Sequence, residues 1–136
     1  MKRLALLVYQ FAIGFSDTVT GALLLVAPVL TLHLMGLRAP ADSLVYISFI
    51  GAFVFAVGLA CMYGFFLMAT NSVRPRIETV WLLTAFARAS VALFVFAQIS
   101  DGALERGWIT VALSDGVCVL IQGVGLWKGW LAHVAC

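Results

Sequence analysis

Three ionisable side chains sit where apolar sequence would not place them. Asp17 lies in "FSDTV", Arg88 in "LLTAFARASVALF" and Asp115 in "LSDGV". Gln122 follows Asp115 at close to two helical turns. Each charge costs roughly 2.5–3.5 kcal/mol at the centre of a membrane helix, so such residues face a protein interior or a wet cavity and find partners there. Two carboxylates and one guanidinium leave a net charge of −1 when all three are ionised. That set suits a proton site or a polar clamp on a ligand headgroup.

Helical spacing surrounds each charge with small residues. Three and four positions from Arg88 stand Thr84, Ala85, Val91 and Ala92. Around Asp17 the same offsets give Ile13, Gly14, Thr20 and Gly21, and around Asp115 they give Val111, Ala112, Cys118 and Val119. Small neighbours allow helices to approach closely and let a long guanidinium reach across. Asp17 is deeper in its apolar run than Asp115, so it is the expected direct partner of Arg88. The candidate ligand or proton site is therefore Asp17, Arg88, Asp115 and Gln122.

The elements that must position these residues follow from composition. The chain has 136 residues, 64% of them hydrophobic and 10% charged; its mean hydropathy is +1.12. A soluble domain carries roughly 25% charged residues, so this composition predicts an all-α integral membrane protein. Apolar stretches long enough to cross a bilayer run over residues 4–27, 44–69, 77–100 and 108–131. The breaks "GLRAPADS", "TNSVRPR" and "SDGALERG" carry turn residues. Short connections make successive helices antiparallel neighbours, and the expected fold is a single domain, a four-transmembrane-helix bundle. After Pro28 the first helix either continues past a kink or stops, with an amphipathic segment at the interface. "MKRLALLVYQFAIGF" has the basic and apolar parts of a signal peptide. No A-x-A-like site follows it, so it is read as the first span.

Lys2, Arg3, Arg74, Arg76 and Lys128 fall on one side, and Arg38 and Arg106 on the other. The positive-inside rule then puts both termini in the cytoplasm. Trp81, Trp108, Trp127 and Trp130 lie near span ends, as expected of an aromatic belt. Ala52, Ala56, Ala60 and Gly64 form an i, i+4 ridge expected to pack, and "GLWKG" at 125–129 is a weak GxxxG dimerisation signal.

Several functions have no residues to carry them. The net charge of +2 is spread out and forms no basic stripe for nucleic acid. Cys61, Cys118 and Cys136 form no C-x-x-C pair, and His33 and His133 are far apart, so no metal site is expected. No Ser/His/Asp set, phosphate loop or heme motif argues for an enzyme. No cofactor is identified.

The glycine and proline of "TVTGALLLVAPVLTLHLMGL", then "IGAFVFAVGLA", then a helix with a central arginine, resemble the DoxX-like group of small bacterial membrane proteins. The resemblance covers most of the chain. It implies four helices, a bacterial inner (plasma) membrane location and, as for some members, a link to quinone-dependent oxidoreductases. Acidic residues in such helices are often glutamate; here they are Asp17 and Asp115, and no residue role is carried over.

The leading expectation is a membrane binding or accessory protein that holds a quinone or lipid at an intramembrane polar site. It would act as a subunit of a membrane complex or as a homodimer. The alternatives are a small proton-coupled transporter and a structural subunit supporting a cofactor-bearing partner.

Overall fold

The computed structural model describes residues 2–38, 41–70 and 74–133. Cys136 and the turn residues 71–73 lie outside the described residues, as do the side chains of Lys2 and His133. The described chain is helical: α1 (Lys2–Val26), α2 (Pro28–Leu34), α3 (Leu44–Ala69), α4 (Arg74–Ser100) and α5 (Ile109–Trp127). Short 3-10 turns stand at Ala41–Ser43, Arg106–Trp108 and Trp130–His133. Four of the helical segments are long and apolar enough to cross a membrane: Arg3–Val26, Leu44–Ala69, Arg74–Ser100 and Arg106–Trp127. The chain is a multi-pass membrane protein on this composition.

α3 covers the expected 44–69, and α4 begins at Arg74, three residues before the expected 77. The first span breaks at Ala27, whose φ of −140° and ψ of 63° leave the helical region. Pro28 has no N–H to continue the ladder and starts α2 instead. α2 then ends in a Schellman motif. The N–H of Gly36 donates to the His33 carbonyl at 3.0 Å and that of Leu37 to the Leu32 carbonyl at 2.8 Å. Gly36 takes the left-handed φ of 70° that this turn needs, and Leu32 and Leu37 are both buried. The fourth span stops at Trp127 rather than near 131, because Gly129 has a φ of 63° and turns the chain.

The chain divides into two compact units, Met1–Phe66 and Leu67–Cys136. In the first, α1 and α3 are antiparallel and meet with their backbones in contact. A Cβ added at Gly14 would lie 2.9 Å from the Met62 backbone nitrogen, and one at Gly51 would lie 2.7 Å from Leu24 Cβ. Gly21 faces Phe55 and Gly58 faces Thr18 more closely still. Each glycine of one helix receives a larger residue of the other. The α3 residues set against α1 include Gly51, Gly58 and Cys61, all buried; of the predicted ridge Gly64 is buried and Ala60 half-buried, while Ala52 and Ala56 are exposed. Close backbone approach, which only glycine permits here, decided the face. Large apolar side chains such as Phe49, Phe53 and Phe66 point outward, as they do where the solvent is lipid.

Candidate functional site

The second unit is a helical hairpin with a polar seam. The buried residues of α4 are Ile77, Trp81, Thr84, Arg88 and Val95, spaced by four, three, four and seven. That is the a/d repeat of helices packed knobs-into-holes. α5 answers with Ala112, Cys118, Gln122 and Gly125. The two stripes meet in antiparallel register. A Cβ added at Gly125 would fall 2.5 Å from the Trp81 ring and 3.0 Å from that of Trp130. One turn along, Gln122 Nε2 donates to Thr84 Oγ1 at 2.9 Å. One further turn along, Arg88 Nη1 donates to Asp115 Oδ1 at 2.6 Å. In this register Arg88 stands level with Cys118, and Asp115 lies three residues (about 4.5 Å) nearer the start of α5. The long arginine stem covers that offset.

The pair is well enclosed: the side chain of Arg88 is 6% exposed and that of Asp115 14%. Charge-assisted hydrogen bonds of this kind are short and strong, and the pair cancels a net charge that neither helix could carry cheaply into lipid alone.

The Thr84–Gln122 contact has a fixed polarity. A hydroxyl has one proton to give. Thr84 Oγ1 gives it to its own backbone, with the Val80 carbonyl at 2.8 Å and that of Trp81 at 3.2 Å. Its oxygen can therefore only accept from Gln122, which turns the Gln122 Nε2 inward. The Gln122 Oε1 is left enclosed with no hydrogen-bond donor among the described residues, on a side chain 1% exposed. A buried acceptor without a donor costs about 1–3 kcal/mol.

Within the second unit the structure brings together Arg88, Asp115 and Gln122. Asp17 lies on α1 in the first unit, half-buried between the contact glycines Gly14 and Gly21. Within the second unit the partner of Arg88 is Asp115.

Other expectations need correction. Trp81 is fully buried at 0% exposure, packed on Gly125, whereas Trp127 is 85% exposed and fits the belt. In "GLWKG" Gly125 lies under the Trp81 ring, and Gly129 is a positive-φ residue outside α5. Two polar residues of the interior were missed. Gln10 is 1% exposed and donates from Nε2 to the Cys61 carbonyl at 2.8 Å. Thr84 had been read only as a small neighbour of Arg88. A glutamine inside "LLVYQFAIGF" was the signal available for the first. Cys61 and Cys118 are buried thiols, and His33 is exposed on α2. Among the described residues no three His, Cys, Asp or Glu side chains gather to hold a metal.

No protein-family model, curated protein or solved structure matches this chain.

Proposed function

We propose that this chain is a small membrane binding or accessory protein whose α4–α5 seam holds the polar end of an amphipathic molecule, a quinone or a lipid. The observation that carries the reading is the enclosed Gln122 Oε1, an acceptor without a donor one turn from a buried charge pair. A ligand hydroxyl or N–H would satisfy it, and the apolar body of the ligand would lie along the lipid-facing side chains. The distribution of Lys and Arg supports a four-helix bundle with both termini in the cytoplasm. The resemblance to the DoxX-like group supports a bacterial inner membrane and a quinone as the first ligand to test.

A second reading has its own observation. The Arg88–Asp115 and Gln122–Thr84 contacts both cross the same hairpin and would by themselves fix its register, as expected of a structural subunit.

Trp81 separates the two. With Trp108, Trp127 and Trp130 replaced by phenylalanine, Trp81 is the sole indole and lies in the seam. In lipid nanodiscs a short-chain ubiquinone quenches it saturably under the binding reading. Gln122→Leu keeps the side-chain volume and removes the acceptor, so it abolishes the saturable part while circular dichroism stays unchanged. Non-saturable quenching, identical in Gln122→Leu, overturns quinone binding. A phospholipid retained by the wild type and lost from Gln122→Leu in native mass spectrometry identifies the ligand as lipid. Failure of both leaves the register clasp.

A further inference from the structure

The short helix α2 is built inside out. Its polar Thr31 is buried and returns its hydroxyl to the Ala27 carbonyl at 2.9 Å. Its outward face carries Val29, Leu30, His33 and Leu34, one helical surface by spacing. Val29, Leu30 and Leu34 are 62%, 56% and 71% exposed. A shallow apolar groove opens on the same side, lined by Ala27, Pro28, Val29, Leu30 and His33. In water the exposure of Val29, Leu30 and Leu34 would be unfavourable.

Its depth follows from the α1–α3 register. Thr18 stands against Gly58, Gly21 against Phe55 and Leu24 against Gly51. Continued to the end of α1, this places Ser48 and Phe49 of α3 level with the Ala27 break, and Tyr46 just beyond it toward the start of α3. Tyr46 is 71% exposed, and exposed tyrosines near helix ends settle at headgroup level. Helix length agrees. The 24 residues Arg3–Val26 cover about 36 Å, more than the roughly 30 Å of the hydrocarbon core. The chain thus reaches the far edge of the core at the Ala27 break. The Schellman turn at Gly36 then returns it toward α3.

We propose that α2 is a lipid-binding foot in the outer headgroup layer. Phospholipid acyl chains cover Val29, Leu30 and Leu34, and the His33 imidazole stands among the ester and phosphate oxygens. The occupant is lipid because this face continues the outward apolar surface of α1 and α3 (Leu25, Val26, Val45 and Phe49 are all exposed) at the level where acyl chains meet headgroups. The fit is that of a monotopic amphipathic segment, with apolar side chains immersed by a few ångströms.

The test uses the full chain in phosphatidylcholine liposomes, with the native cysteines replaced by serine and a nitroxide attached in turn through Leu30→Cys, Leu34→Cys and Arg38→Cys. Arg38 is exposed just beyond the turn and serves as the aqueous reference. At positions 30 and 34 the label is expected to relax strongly with dissolved oxygen and weakly with a water-soluble nickel chelate, with the reverse at 38. Nickel access at 30 and 34 equal to that at 38 would put α2 in water. Protection from both reagents would show a protein partner or a second copy on this face. Either result overturns the proposal.

Discussion

One substitution, Gly to Ala, should have opposite effects on the two sides of this molecule. At Gly116 and Gly123 of α5 an added Cβ meets nothing within 4 Å. Alanine there recovers helix propensity worth up to about 1 kcal/mol, so these variants should be neutral or slightly more stable. At Gly21 the new methyl lies 2.6 Å from Phe55 Cα, and at Gly58 it lies 2.6 Å from Thr18 Oγ1. Carbon–carbon contact needs about 3.5–4.0 Å, so at Gly21 the helices must part by roughly 1 Å. A gap of that order forfeits a quarter to a half of each dispersion contact along the interface. Overpacking of this kind costs typically 1–3 kcal/mol. Even after the propensity gain, Gly21→Ala and Gly58→Ala should lose on the order of 1–2 kcal/mol.

The collision at Gly21 is with backbone as well as side chain, so trimming the opposite residue with Phe55→Ala should not restore stability. The measurement is reversible unfolding in mixed micelles, titrating SDS against a mild detergent and following helicity. If Gly21→Ala and Gly116→Ala differ by less than about 0.5 kcal/mol, the α1–α3 interface is not held by backbone contact and the reasoning fails.

The same titration reads the seam. Arg88→Met leaves the enclosed Asp115 carboxylate without the cation that bonds it and should cost about 3–5 kcal/mol, while the double variant with Asp115→Leu should lose less. Additive losses would show that the pair is not coupled. Thr84→Val removes the acceptor for Gln122 Nε2 and should cost about 1–3 kcal/mol; Thr84→Ser should be close to wild type. Gly129→Ala places a methyl on a φ of 63° and should lower the thermal midpoint by a strain of about 1 kcal/mol. Glu78→Gln removes an ion pair to Arg74 whose side chains are 46% and 32% exposed; a loss above about 0.5 kcal/mol would be unexpected.

The spans and turns were legible because lipid imposes length and hydropathy directly. Gly, Pro, Asn and Asp clusters mark the breaks, and Pro28 marks the end of α1. What the residues could not tell was which side of each helix faces protein. In water, burial sorts apolar from polar. In lipid both sides are apolar, so Phe49 and Leu83 are exposed while Trp81 and Met68 are sealed. For that reason the predicted ridge of α3 is covered only in part, with Gly64 buried and Ala52 and Ala56 exposed. The charged residues stood out at once, yet their pairing depended on register. The register is set by Trp81 on Gly125 and by Thr84 against Gln122, neither of which carries a charge.

The ion pair also bears on synthesis. Arg88 and Asp115 are 27 positions apart on helices that follow one another directly. At roughly 5–20 residues per second, the carboxylate leaves the ribosome about 1 to 5 seconds after the guanidinium. During that interval α4 lacks the Asp115 carboxylate, which α5 has yet to deliver. The Arg88–Asp115 bond therefore forms only once both arms of the hairpin have been made.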